Sequence, residues 1–131
     1  MTQDHSTLPA AVATYIQASN NFDLRSTVEV FADDALVVDA NREFWGKDAI
    51  SQFLEREIIG AKVTMDVRQV VEHHGDFIVS AAVDGTFDKT KLPSPLILAF
   101  HFWTEKGKIS QMVVITKQPT PAWAEGKRAR G

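Results

Sequence analysis

The chain has 131 residues, of which 44% are hydrophobic and 24% charged, and its formal net charge is −3. This length suits one domain with a single core, and the composition is far from that of a disordered chain. The acidic balance, with a pI near 5.7, makes nucleic acid and anionic membranes poor partners.

The chain contains no cysteine, which excludes disulfides, thiolate nucleophiles and cysteine-based zinc sites and favours a reducing compartment. The first residues lack the basic and apolar regions of a signal peptide, and no run approaches the roughly 18 apolar residues of a membrane span. We therefore predict a cytoplasmic protein with one domain over residues 1–131. Residues 117–131 hold two prolines and the basic residues Lys127, Arg128 and Arg130, and they are predicted to form a loose tail.

Three helices are predicted in the first half of the chain. Over residues 8–20, apolar side chains recur at intervals of three and four, which indicates an amphipathic helix. Asp23 is a good N-cap for a short second helix, with Phe31 on its buried side, and residues 32–34 end the pattern. Helical periodicity returns from Gly46 to Gly60, where the glycine is placed as a C-terminal cap.

Strands dominate the rest of the chain. A short strand is predicted over residues 35–39 and a loop over 40–43. Four longer β-rich runs follow at about residues 62–72, 77–88, 96–104 and 108–116. Their turn-like connections predict antiparallel pairing. Helices followed by strands indicate an α+β fold rather than a doubly wound sheet.

The string FADDALVVD at Phe31–Asp39 is the most specific part of a wider resemblance. Gly46–Ile50 and Gly107–Ile109 add weaker matches, and the similarity runs from Val12 to Ile115. On these residues the chain resembles the nuclear transport factor 2-like superfamily, in the branch that contains SnoaL-like polyketide cyclases and ketosteroid isomerase. The resemblance implies a cone-shaped half-barrel, with three N-terminal helices packed on a curved, mainly antiparallel sheet around a deep pocket, often in a homodimer.

The same resemblance implies candidate catalytic residues. Ketosteroid isomerase uses a tyrosine on its first helix, an aspartate at the end of its first strand and a second acid on a late strand. Tyr15 stands at the position of the tyrosine, and Asp39 stands at that of the aspartate, which is the general base. Ala99 takes the place of the second acid. Losing one such donor costs on the order of 10² to 10³ in rate, so this departure favours different chemistry.

Asp39 and Tyr15 each have a second interpretation. Asp39 shares a strand face with Ala35 and Val37, so a regular strand would direct its carboxylate inward. Partial burial would raise its pKa toward the range that suits an acid or base near neutrality. Asp39 could instead be a solvated aspartate that caps the following turn. Tyr15 shares its helix face with Val12, and it is either a core tyrosine or a donor to a ligand oxygen.

His101 is the third candidate catalytic residue. It alternates with Ala99 and Trp103, which puts all three on one strand face, and the resemblance directs that face inward. His101 could then supply a proton near Asp39, or it could be a structural or interface histidine. The side chains predicted to line a mainly apolar ligand site are Ala99, Trp103, Met112, Val114 and Thr116.

No metal or cofactor is predicted. His73 and His74 are adjacent, so a strand would direct them to opposite faces, and a turn follows directly. A homodimer through the convex sheet face is predicted, because residues 96–103 are apolar on both faces and a half-barrel buries only one of them. The set that alternates with the inward residues is Leu96, Leu98, Phe100 and Phe102.

Two functions remain open. In the first, the protein is a cofactor-independent isomerase, cyclase or dehydratase acting on a small apolar organic molecule. Asp39 would take a proton, Tyr15 would donate to developing negative charge, and His101 would donate or shuttle a second proton. In the second, the chain is a non-catalytic module for ligand binding or dimerisation, in which Asp39 orients a ligand or caps a loop.

Overall fold

A computed structural model describes residues 8–116 of the chain. These residues form three α-helices, a π-helical segment and a six-stranded sheet. No helix within this range has the length and apolar character needed to cross a membrane. The loose tail predicted over residues 117–131 lies outside the described residues.

The first two helices lie at the positions predicted for them. Helix α1 spans Ala10–Asn20 and helix α2 spans Leu24–Glu29. The side chain of Asp23 accepts a hydrogen bond from the backbone N–H of Ser26 at 3.1 Å, as expected of an N-cap. The connection of three residues between these helices leaves them packed against each other at one side of the sheet.

The third helix changes its winding halfway. Helix α3 spans Gly46–Phe53 and continues as a π-helical segment over Leu54–Ile59, here named the π segment. The wider turn ends with a hydrogen bond of 2.8 Å from the Gly60 N–H to the carbonyl oxygen of Glu55. A Cβ atom at Gly60 would lie 2.7 Å from that oxygen. The glycine is therefore required for space, since its φ of −64° is that of an ordinary helix.

The strands confirm the α+β class. Their bounds are β1 Phe31–Asp39, β2 Arg42–Trp45, β3 Thr64–His73, β4 Asp76–Asp84, β5 Leu96–Glu105 and β6 Lys108–Thr116. They form one sheet in the order β2-β1-β6-β5-β4-β3, in which β1 and β6 are parallel and all other neighbours are antiparallel. Helices packed on this curved, mainly antiparallel sheet give the cone-like shape that was expected.

Strand β1 begins earlier than predicted. Phe31, expected on the buried side of α2, is the first residue of the strand and pairs with Ile109 of β6. Asp33 and Asp34, expected to end the helix, lie exposed where the pairing shifts register between Phe31 and Leu36. Aspartate is unfavourable in regular strands, and the irregularity accommodates two of them without burying either. Local propensity could not reveal this, because β6 supplies the pairing from far along the chain.

The assignment of faces on β5 is the reverse of the prediction. Phe100 and Phe102 lie on the inner face, under the helices, and are 5% and 0% exposed. His101 and Trp103 alternate with them and therefore lie on the outer, convex face. The strand is apolar on both faces, so its pattern does not distinguish them. Pairing with β4 sets the face instead, because Phe100 and Phe102 lie opposite the buried residues Val79 and Phe77.

The end of α1 is attached to the free edge of β3. Asn20 Nδ2 donates to the carbonyl oxygen of Met65 at 2.9 Å, and the Met65 N–H donates to Asn20 Oδ1 at 2.7 Å. Strand β3 is at the edge of the sheet, where backbone groups lack a neighbouring strand. The side-chain amide of Asn20 therefore replaces that neighbour at Met65 and holds α1 across the inner face.

Replacing Asn20 by alanine should lower the free energy of unfolding by about 1–3 kcal/mol, because the backbone N–H and C=O of Met65 lose their partners. Urea denaturation followed by circular dichroism measures the change. Asn21→Ala is the matched control, since Asn21 is exposed one residue later and should change stability by less than about 0.5 kcal/mol. Equal losses in the two variants would contradict the role given to Asn20.

Candidate functional site

A cavity of about 60 Å³ lies between α1, the π segment and the inner face of the sheet. Nine of its twelve lining residues are apolar: Phe53, Ile58, Val63, Met65, Val83, Leu98, Phe100, Met112 and Val114. The three polar ones are Tyr15, Ser19 and Asp39. An engineered apolar cavity of about 150 Å³ binds benzene. The enclosed space here therefore accommodates the end of a small molecule rather than a complete ring system.

Tyr15 lines this cavity from the buried face of α1 and is 1% exposed. Its ring makes edge-to-face contacts with Phe31 and Phe102, with 5.8 and 5.7 Å between ring centres. Burial raises the pKa of the Tyr15 hydroxyl well above its usual value, and the charge of Asp39 raises it further. The hydroxyl therefore stays neutral and able to donate a hydrogen bond at any physiological pH.

Ser19 is a lining residue that the sequence analysis did not single out. It lies one helical turn after Tyr15 on the same face of α1 and is 0% exposed. Its Oγ has no hydrogen-bond partner among residues 8–116. A serine in an otherwise apolar helix stripe was the available signal. It was not enough to distinguish a pocket residue from a small core residue.

Asp39 lies at the open side of the cavity. It ends β1 on the inner face, and its side chain is 31% exposed. The chain then turns through Ala40 and Asn41 and returns as β2, so the loop predicted over 40–43 is shorter than expected. This turn brings Arg42 beside Asp39, and Arg42 Nη2 donates to Asp39 Oδ2 at 2.8 Å. Asp39 is thus a paired carboxylate at the edge of the cavity rather than an isolated one within it.

Arg42 also binds the π segment. Its two terminal nitrogens donate to the two carboxylate oxygens of Glu57, both at 2.7 Å. We call Asp39, Arg42 and Glu57 the mouth triad. The hydrogen bond from Arg42 lowers the pKa of the Glu57 carboxyl, and the same contact raises the pKa of Arg42. No pattern of residues indicated this pair, because its formation depends on how the π segment turns Glu57 toward β2.

The predicted positions of His101, Trp103 and Ala99 in the ligand site are wrong. All three lie on the outer face, where the His101 and Trp103 rings stack with 3.7 Å between their centres. Inward neighbours on the same strand, Leu98 and Phe100, line the cavity in their place. All three errors have one cause, since choosing the wrong one of the two alternating sets of β5 side chains assigns every one of them to the opposite face.

On β6, the side chains predicted to face inward lie on the inner face of the sheet. Met112 and Val114 line the cavity, next to Phe102 and Phe100 on the neighbouring strand. Thr116 is exposed and lies in an adjoining open groove of about 200 Å³, which Asp39 also borders. Asp39 therefore stands between the enclosed cavity and the surface.

The side chains within residues 8–116 form no group of three or more His, Asp or Glu residues placed to hold a metal ion. His73 ends β3 and His74 begins the turn with a φ of 53°. Their rings meet edge to face with 4.5 Å between centres. The pair thus lies at the tip of a hairpin, away from the residues that line the cavity.

The ion pair of Arg42 with Glu57 predicts an acid-dependent loss of stability. The folded state lowers the pKa of Glu57 below its ordinary 4.5. The stabilisation from the ion pair is therefore complete above pH 4.5, and it is lost as the pH falls through the lowered pKa. The Glu57 side chain is 41% exposed, so solvent screening limits the effect to about 1 kcal/mol. Denaturation of wild type and Glu57→Gln between neutral and acidic pH should show a difference that disappears in acid. Glu55→Gln is the control, and a similar pH-dependent difference for it would contradict the assignment.

Comparisons with known proteins agree with this architecture. A family model described as the SnoaL-like domain matches residues 12–112. No curated protein gives a significant match. A candidate polyketide cyclase from Sinorhizobium meliloti has a similar structure, with a TM-score of 0.76 and 24% identity over 86% of this chain and 99% of that one.

Two other solved structures have a similar fold. One is a protein with a ketosteroid isomerase-like fold from Catenulispora acidiphila, in complex with trimethylamine; its TM-score is 0.69 at 18% identity, over 85% of this chain and 88% of that one. The other is SalBIII, an epoxide hydrolase/cyclase-like enzyme with a role in pyran ring formation in salinomycin, with a TM-score of 0.68 at 21% identity over 89% and 95% of the two chains. The family match, which covers most of the sequence and nearly all of the described structure, shows that the chain belongs to the SnoaL-like domain family of nuclear transport factor 2-like proteins.

Proposed function

We propose that this protein binds a small oxygenated organic molecule in the cavity and moves a proton on it without a cofactor, as an isomerase, cyclase or dehydratase. The observation that carries the proposal is that Asp39 and Tyr15 line one apolar cavity. A carboxylate can take a proton beside a carbonyl group, and a neutral phenol can donate to the oxygen on which negative charge develops. His101 is not part of this catalytic pair, because its ring is on the opposite face of the sheet.

The mouth triad orients Asp39 in this mechanism. Arg42 donates a hydrogen bond to Asp39 Oδ2 and so holds the carboxylate that would take the proton. When Asp39 accepts a proton, Arg42 keeps both hydrogen bonds to Glu57 and stays in position. The similar structures support chemistry of this kind, since two of them carry descriptions as cyclases or cyclase-like proteins.

A non-catalytic module for ligand binding is the second candidate function. It is favoured by the ion pair of Asp39 with Arg42, which would equally serve to hold the turn between β1 and β2. In that case the carboxylate does not react, and the cavity only selects a ligand. The two candidates differ in what replacement of Asp39 does.

Asp39→Asn should keep ligand binding but lower proton transfer by roughly 10² to 10⁴. Exchange of the α-hydrogens of butan-2-one in D₂O, followed by proton NMR, measures this without knowledge of the natural substrate. Asp34→Asn is the control, because Asp34 is exposed on the same strand. The ion pair of Asp39 with Arg42 is present in either case, so a loss of stability of up to about 1 kcal/mol is expected and only the exchange rate distinguishes the two functions. Binding of butan-2-one without any acceleration of exchange would favour the non-catalytic module.

We also propose that the protein works as a cytoplasmic homodimer formed through the outer face of the sheet. The apolar side chains that the strand register assigns to this face are Leu36, Val38, Trp45, Val71, Ile78, Ala82, Ile97, Ala99, Trp103, Val113 and Ile115. Trp45 and Ile115 are 63% and 55% exposed. His101 Nε2 is buried there without a hydrogen-bond partner among residues 8–116, and Asp76 Oδ2 is 3.9 Å away. A second copy on this face would cover the apolar patch.

Ile115→Glu should convert the dimer to a monomer, because it places a charge within the covered apolar face. Sedimentation velocity at micromolar concentration should give twice the 14.5 kDa chain mass for wild type and the chain mass for the variant. Leu92→Glu is the control, since Leu92 is 40% exposed in the connection between β4 and β5, and it should remain dimeric. A monomeric wild-type protein would contradict the proposal.

A further inference from the structure

The polar groups of the cavity are separated along its length. Asp39 belongs to β1, at one side of the sheet, and is 31% exposed. Ser19 precedes Asn20, which is bound to β3 at the far edge of the sheet, and Ser19 is 0% exposed. Asp39 thus lines the open side of the cavity, and the fully buried Ser19 lines its closed side.

The serine hydroxyl is an unusual group in this position. Ser19 Oγ is buried and has no hydrogen-bond partner within residues 8–116, although buried polar groups are nearly always paired. The hydrogen bonds between Asn20 and Met65 fix the rotation of α1. Ser19 directly precedes Asn20, so these bonds keep this part of α1 against the cavity that Ser19 lines. Alanine would fill the same place without leaving a polar atom unpaired.

We propose that Ser19 is a specificity-determining residue, whose hydroxyl binds a second oxygen atom of the ligand at the closed side of the cavity. This inference rests on the proposed function, in which Tyr15 and Asp39 act on a carbonyl group nearer the mouth. The ligand is then a compact molecule with a carbonyl group, a short apolar connection and a further hydroxyl or carbonyl oxygen. A hydroxyl group both donates and accepts, so Ser19 suits either kind of oxygen.

The size and lining of the cavity further limit the class of ligand. With about 60 Å³ enclosed, the two oxygens can be only a few bonds apart if one is to reach Ser19 while the carbonyl lies beside Tyr15. The walls between them are apolar, with Met65, Val83 and Phe100 among the lining residues. A charged group at the closed side would lose its hydration there without a compensating charge. The second oxygen is therefore that of a neutral group.

Two probes that differ by one hydroxyl group test the proposal. Dissociation constants of butan-2-one and 4-hydroxybutan-2-one are measured by ligand-observed NMR for wild type, Ser19→Ala and Ser51→Ala. Ser51 is a helical serine that does not line the cavity, so its variant controls for the general effect of alanine in a helix. Loss of one hydrogen bond should reduce the preference for the hydroxyketone by about 2- to 12-fold in Ser19→Ala. Binding of butan-2-one should be unchanged, and Ser51→Ala should behave as wild type.

Any other result contradicts either the role of Ser19 or the proposed function. An unchanged preference in Ser19→Ala, with butan-2-one still bound, rejects the role of Ser19 and leaves the proposed function intact. Failure of wild type to bind either ketone rejects both. The melting temperature of ligand-free Ser19→Ala supplies a second readout and should be equal to or above that of wild type, because an unpaired buried hydroxyl has been removed. A clear decrease, beyond that of Ser51→Ala, would show that the hydroxyl serves the fold and would overturn the proposal.

Discussion

The side-chain amide of Asn20 makes two hydrogen bonds to the backbone of Met65, at the free edge of β3. An edge strand presents donors and acceptors without a neighbour, and an amide side chain offers the matching pair. This contact fixes both the position and the rotation of α1. Tyr15 and Ser19, on the same face of this helix, line the cavity between helix and sheet. The geometry of the candidate site therefore depends on a residue that does not line it.

Charge in the site is confined to the mouth. Asp39 and Glu57 share the guanidinium group of Arg42, and all three side chains keep contact with solvent, with exposed fractions of 31%, 41% and 49%. An ionised group deeper in the apolar cavity would lose its hydration without such a partner. The interior instead holds two neutral hydroxyl groups, those of Tyr15 and Ser19. In the proposed mechanism, the carboxylate acts at one end of the ligand and the neutral hydroxyl groups bind the other end.

Strand β5 contributes to both sides of the sheet. Phe100 and Phe102 complete the core beneath the helices, while His101 and Trp103 form part of the half-buried outer face. A substitution on this strand consequently affects either the cavity or the outer face, depending only on whether its position is even or odd. The same property makes the strand unusually difficult to interpret from its sequence, because hydrophobicity is high on both faces.

The sequence by itself determined the α+β class, the positions of the helices, the N-cap at Asp23 and four of the strands, because these depend on local periodicity, capping and turn residues. Its resemblance to the family also led to Tyr15 and Asp39 as residues of one pocket. Only the tertiary structure decided the start of β1 at Phe31, which pairs with a strand far along the chain. The orientation of His101 likewise depended on how β5 pairs with β4, because β5 is apolar on both faces and its own pattern does not distinguish them. The pairing of Arg42 with Glu57 and the burial of Ser19 arise where separate elements meet, and such contacts follow from packing in three dimensions rather than from the spacing of residues along the chain.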